Sequence, residues 1–192
     1  GIMVQEIHHR VKNNLTMLKG LLYLQAKTSV HKEAKIALEE CQLRIENMAL
    51  VHQKLYEENN IGKLNLIEFL ETMFDQLSVL YKDSKRHVEL DLKGSCSPLN
   101  VSTAIPLGLM MNELITNSFK YAFVHAEQGR IEIKVEENGG ILKICYSDNG
   151  PGLKEPLSSN MGGFGFKLLD LLANQISANI SYRNESSQFI YI

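Results

Sequence analysis

Between Asn112 and Ala122 the residues Glu113, Asn117, Lys120 and Tyr121 recur at spacings of three and four, which sets them on one face of a helix. Asn117 offers a neutral amide oxygen to a hard cation that prefers oxygen ligands and keeps several waters, the habit of Mg²⁺ held between protein and phosphates. Glu113, one turn earlier, can orient a metal-bound water or act as a base. Lys120 can neutralise phosphate charge. Leu109, Met110, Leu114 and Ile115 supply an ordinary apolar face for the same helix.

Two glycine-bearing stretches downstream suit the same ligand. Ile141 to Ser147 alternates and carries β-branched residues, as a strand does, and runs into Asp148-Asn149-Gly150-Pro151-Gly152. A carboxylate at a strand end can accept a hydrogen bond from an adenine amino group, and Gly150 and Gly152 let the backbone come close. Taken alone, Asn-Gly and Pro-Gly are also plain turn dipeptides. Further on, Gly162, Gly163 and Gly165 open an apolar helix through Leu168, Leu169, Leu171, Leu172 and Ile176. Backbone N–H groups at such a helix start, with the positive end of its dipole, make a site for phosphate.

These three stretches, in this order, resemble the N, G1 and G2 boxes of the GHKL ATPase superfamily over roughly the last two thirds of the chain. The resemblance implies ATP and Mg²⁺ as cofactors. It implies Asn117 and Glu113 at the metal, Asp148 as the adenine acceptor, and Lys120, Tyr121, Gly150, Gly152, Gly163 and Gly165 around the nucleotide. The segment between Gly152 and Gly163 would be a short polar lid, mobile without nucleotide.

The elements that must position these residues follow from periodicity. From Val4 to about Lys27, Val4, Ile7, Val11, Leu15, Leu18 and Leu22 fall on one helical stripe at about 100° per residue. His9 points almost directly away from that stripe and His8 lies on its flank, so His9 is the wetter of the two. Asn13 sits one turn beyond His9. A second helix, His31 to about Glu58, has Ala34, Ala37 or Leu38, Cys41, Ile45, Met48, Val51 or His52, and Leu55 on its apolar side. Joined near Thr28-Ser29-Val30, the two form an antiparallel hairpin whose seam needs another hairpin to cover it, most simply that of a second copy. Homodimerisation is the expectation, with a monomer as the alternative.

The polar stretch from Glu57 to Lys63 serves as a linker. Beyond it come a helix from Leu66 to Tyr81, a strand at His87 to Leu92, a loop from Gly94 to Asn100 and the helix of the N box. Strands at Arg130 to Glu136 and Ile141 to Ser147, a helix from Phe166, and strands near Asn179 to Tyr182 and Phe189 to Ile192 complete the order. The fold class is α+β: a two-helix hairpin over residues 1–60, then over 61–192 a GHKL-type α/β sandwich with a mixed sheet layered on helices.

Composition adds bounds. The chain of 192 residues has a formal charge of −2, which gives no reason to expect nucleic acid or an anionic membrane surface as partner. Cys41, Cys96 and Cys145 have no paired spacing and read as reduced, buried residues of a cytoplasmic protein. The apolar run from Ala104 to Met111 is far too short to span a bilayer, so the chain reads as soluble, and its start inside a helical pattern reads as that of a fragment.

The opening helix discriminates among GHKL proteins. Glu6-Ile7-His8-His9-Arg10-Val11-Lys12-Asn13-Asn14-Leu15 resembles the phosphoacceptor box of the second HisKA-type histidine kinase subfamily, close to the HWE kinases. The resemblance implies His9 as phosphoacceptor, transfer of the γ-phosphoryl of ATP to its imidazole, and a response-regulator receiver domain as partner. It also implies a role for Asn13 in regulator dephosphorylation. Common histidine kinases have an acidic residue directly after the acceptor; here Arg10 stands there, leaving Glu6 or Glu113 as the base. Two alternatives use the same boxes without His9: a GHKL serine kinase and a nucleotide-sensing dimerisation scaffold.

Overall fold

The structure, a computed structural model, describes residues 2–55, 63–81, 87–124, 126–152, 164–183 and 187–191. They form two compact units, Gly1–Leu64 and Asn65–Ile192. The first contains helices α1 (Ile2–Thr28) and α2 (Lys32–Leu55) and the two-residue strand β1 (Lys63–Leu64). α1 packs along α2 as an antiparallel pair, with Thr28 Oγ1 donating to the Leu24 carbonyl where α1 ends. Along α1, Val11, Leu15 and Leu22 are half-buried and Ala26 is buried. Leu18, expected on the covered stripe, is 45% exposed. Met17, Leu21 and Leu24 are exposed with it, so α1 carries a second apolar face that α2 does not reach.

The second unit runs α3 (Leu66–Leu80), β2 (His87–Ser95), β3 (Leu99–Asn100) and α4 (Val101–Asn117), then a π-helical turn (Ser118–Ala122), β4 (Gln128–Asn138) and β5 (Ile141–Asp148). α5 (Phe164–Gln175), β6 (Asn179–Arg183) and β7 (Ser187–Tyr191) follow. Asparagine side chains cap two of these helices: Asn65 accepts from the Glu68 N–H and Asn100 from the Thr103 N–H. The segment expected as a loop from Gly94 to Asn100 is shorter, because β2 runs on to Ser95 beside β4 and β3 forms at Leu99.

A five-stranded mixed sheet has the order β2-β4-β5-β7-β6. β2 and β4 are parallel; the other neighbours are antiparallel. β4 and β5 join through Gly139 and Gly140, both at positive φ, the conformation that a two-residue hairpin loop between right-twisted strands demands. Alternation puts Ile131, Ile133 and Val135 of β4 and Leu142, Ile144 and Tyr146 of β5 into the core.

α4 is the central layer element. It packs against α3 and α5, and every residue from Pro106 to Ile115 is buried. The helix expected to continue regularly through the N box changes its winding at Ser118, whose carbonyl accepts from the Phe123 N–H at 3.0 Å, five residues on. Phe119 fixes this turn from the core side, stacking on Tyr81 at 5.5 Å between ring centroids and lying 6.0 Å from Phe74 and 6.3 Å from Phe123. The cysteines correct another expectation: all three are unbridged and half-buried, not buried.

Phe119→Ala should therefore lower stability by about 3–5 kcal/mol, read from urea unfolding, because it empties the centre of an aromatic cluster. Val79→Ala, at a side chain 74% exposed, should stay within about 0.5 kcal/mol in the same assay.

Candidate functional site

The expected site residues of the second unit lie around the end of α4, the end of β5 and the start of α5. Glu113 and Asn117 stand one turn apart on α4; Glu113 is only 4% exposed and Asn117 is half-buried. Both side chains meet the start of α5. At Gly165 an added methyl carbon would sit 3.5 Å from Glu113 Oε2 and 3.6 Å from the Asn117 amide nitrogen. A helix N-terminus is thus brought against a carboxylate and an amide, the donor set that a hydrated Mg²⁺ and a phosphate chain require. Beyond them the π-helical turn carries Lys120, half-buried, and Tyr121, 68% exposed.

Asp148 ends β5 with both carboxylate oxygens engaged. Oδ1 accepts from the Gly150 N–H at 2.9 Å, and Oδ2 accepts from the Ser118 hydroxyl at 2.6 Å. The Ser118 Oγ is also 2.6 Å from the Tyr146 hydroxyl, which reaches the Leu114 carbonyl at 3.2 Å. Burial pushes the Tyr146 phenol well above its ordinary range; the bond to Ser118 opposes this and the Asp148 charge adds to it. The phenol is therefore a hydroxyl donor at any physiological pH. Gly150 is set by contact: a methyl there would fall 2.4 Å from Ala122 Cβ, so the turn after Asp148 lies directly on the π-helical turn. Gly152, at φ +72°, needs glycine for its backbone.

Sequence reasoning passed over Ser118, Tyr146 and Asn149. The Asn149 side chain accepts from the Arg130 N–H at 2.7 Å while its own N–H donates to the Arg130 carbonyl at 3.1 Å, tying the turn to the start of β4. A signal for Tyr146 was present: it follows Leu142 and Ile144 at inward positions, and a buried phenol must find a partner. Among the described residues no group of three or more His, Cys, Asp or Glu could hold a metal ion. Gly163 and the lid segment lie outside the described residues.

In the first unit, residue 9 lies in the α1 backbone and Asn13 is exposed one turn further on. The His9 side chain is outside the described ones. No helix among the described residues is long and apolar enough to cross a membrane.

A mixed sheet layered on helices, with a polar helix end, a carboxylate at a strand end and a glycine-opened helix converging, defines a GHKL-type ATPase domain. The family profile described as histidine kinase-, DNA gyrase B- and HSP90-like ATPase matches residues 102–189, and the one described as histidine kinase matches 6–81. The chain belongs to the histidine kinases that carry this ATPase domain. It is 34% identical over 178 residues to the sensor histidine kinase PdtaS of Mycolicibacterium smegmatis, covering 90% of this chain and 33% of that protein. To blue-light-activated histidine kinase 2 of Erythrobacter litoralis it is 21% identical over 180 residues, 92% of this chain and 51% of the relative. The histidine kinase domain of the E. litoralis EL346 kinase superposes with a TM-score of 0.66 at 16% identity, over 95% of this chain and 93% of that one. The chain thus spans between a third and a half of these curated relatives.

Gly150→Ala should force the Asp148 turn off Ala122, costing about 1–3 kcal/mol of stability and weakening nucleotide binding. Adding Ala122→Gly should recover part of both, measured as melting temperature and as affinity for a fluorescent ATP analogue.

Proposed function

We propose that this chain binds ATP with Mg²⁺, transfers the γ-phosphoryl group to His9, and passes it to an aspartate of a response-regulator receiver domain. The observation that carries this reading is the convergence of Glu113 and Asn117 on Gly165 at the head of α5, in a chain whose first helix belongs to a histidine kinase segment. The division of labour is a hairpin over 1–60 for dimerisation and phosphotransfer and a catalytic domain over 61–192. ATP supply sets the cytoplasm as its compartment.

Each residue has a role that its chemistry permits. Asp148 accepts the adenine amino group, with Gly150 and Gly152 allowing the base to approach. Asn117 would offer an amide oxygen to Mg²⁺, and Glu113 would hold a water of its shell. The cation supplies charge neutralisation between the phosphates. Backbone N–H groups of Gly163 and Gly165 and the Lys120 ammonium would bind the phosphate chain, with Tyr121 beside them. The neutral imidazole of His9 attacks the γ-phosphorus: an N–P bond forms, the P–O bond to ADP breaks, and the displaced imidazole proton leaves to Glu6 or Glu113. Asn13, one turn from His9, positions water for regulator dephosphorylation.

The exposed face of α1 formed by Met17, Leu18, Leu21 and Leu24 supports a homodimer through the hairpin. Leu21→Glu should then shift the sedimentation of the chain from dimer to monomer.

Incubation with γ-labelled ATP and Mg²⁺ tests the reaction. Acid-labile, alkali-stable label lost in His9→Gln and retained in His8→Gln is the expected result. His9→Gln should leave ATP affinity within about twofold, since the imidazole contributes no binding energy to the adenine side; Asp148→Asn and Asn117→Ala should each weaken nucleotide or Mg²⁺ use with His9 intact. Label that survives in His9→Gln, or is acid-stable, would overturn the assignment and favour a serine kinase.

A further inference from the structure

Two side chains beside the nucleotide site have no part in the scheme above. Ser118 opens the π-helical turn and is 2% exposed; Tyr146 sits near the end of β5 and is 1% exposed. Their hydroxyls touch, and the chain they form ends on Asp148.

The proton arrangement of this chain is determined by counting. The two hydroxyls hold two protons, and four acceptors compete for them: Asp148 Oδ2, Ser118 Oγ, Tyr146 Oη and the Leu114 carbonyl. A hydroxyl bonded to a carboxylate forms the strongest of these bonds, so the Ser118 proton belongs to Asp148. Ser118 can then only accept from Tyr146, at 2.6 Å, with the Leu114 carbonyl as the longer second acceptor at 3.2 Å. Both dipoles point towards the carboxylate, and bonds in such a chain strengthen one another.

The carboxylate is fixed in rotation as a result. Ser118 takes one lone-pair direction on Oδ2 and the Gly150 N–H takes one on Oδ1. Each oxygen keeps one acceptor direction for a ligand. The same hydroxyls tie β5 to α4 at Leu114, between Glu113 and Asn117 in the chain, so the base-binding carboxylate is registered against the phosphate-binding residues.

We infer that Ser118 and Tyr146 are positioning residues for purine selection, holding Asp148 in the one orientation that accepts from a 6-amino group and repels a 6-oxo group. The inference rests on the reading that Asp148 meets adenine. The hydroxyl chain deepens that reading by naming what discriminates ATP from 6-oxopurine nucleotides.

Calorimetric affinities of the whole chain for Mg²⁺-ATP and for Mg²⁺-ITP, in which a 6-oxo acceptor replaces the 6-amino donor and N1–H replaces the N1 acceptor, test it. The unaltered chain should prefer ATP. Ser118→Ala should weaken ATP by about tenfold, the loss of one hydrogen bond to a charged group. ITP should change by less than about twofold, because it has no 6-amino donor for the oriented acceptor to meet and its N1–H lies in another direction. Tyr146→Phe should lie between, with ATP weakened about threefold through the lost polarisation of Ser118. An ATP preference equally large in both variants would overturn the positioning role and leave the adenine reading of Asp148 standing. Parallel loss of ATP and ITP would also overturn it, as a general structural effect. No preference in the unaltered chain would overturn the adenine reading itself, and this inference with it. Melting curves without nucleotide accompany the titrations; should Ser118→Ala not fold, Tyr146→Phe, which keeps the ring and removes one oxygen, decides on the same ratio.

Discussion

The second unit depends on a helix that is almost wholly enclosed and yet not wholly apolar. α4 is buried from Pro106 to Ile115, and Asn112, Glu113 and Ser118 go into the interior with it. A polar group removed from water costs free energy unless it is paired, so each such residue dictates something about its surroundings. Ser118 is answered by Asp148 and Tyr146, which fixes where the end of β5 must lie. Glu113 and Asn117 lie beside Gly165 at the start of α5. The sheet, α3 and α5 are the walls that these requirements arrange.

Much of this was legible in the chain itself, for reasons that differ by element. The alternation of Ile131, Ile133 and Val135, and of Leu142, Ile144 and Tyr146, declares strands with one covered face; the Gly139-Gly140 turn between them went unread, although two glycines are what such a turn demands. Gly150 carries its own message, since its close approach to Ala122 leaves room for nothing else. The change of winding at Ser118 was not legible. A π-helical turn arises from packing at both of its ends, here Phe119 in its aromatic cluster and the Phe123 N–H on the Ser118 carbonyl, and the residues inside it have no periodicity of their own.

The hydroxyl contacts were hidden for another reason. Ser118 and Tyr146 are 28 residues apart, and only the pairing of helix layer with sheet layer makes them neighbours. Similarly, the stripe on α1 was correct as a helical signal and incomplete as a burial pattern. Leu18 belongs by period to the covered side but is partly open, because a single facing helix covers too narrow an arc of a helix rich in leucine.

The π-helical turn makes the spacing along this segment a matter of residue number as well as residue type. It accommodates one more residue per turn than regular winding would, and it does so between Asn117 and the contact of Ala122 with Gly150. Losing a single residue from Ser118–Ala122 would close the turn to regular winding and remove the Phe123-to-Ser118 bond, so a different residue would have to meet Gly150 where Ala122 does now. In descent, this segment would then tolerate exchanges of side chain more readily than a change in length. The gap between Asn117 and Ala122 is a ruler whose marks are peptide units.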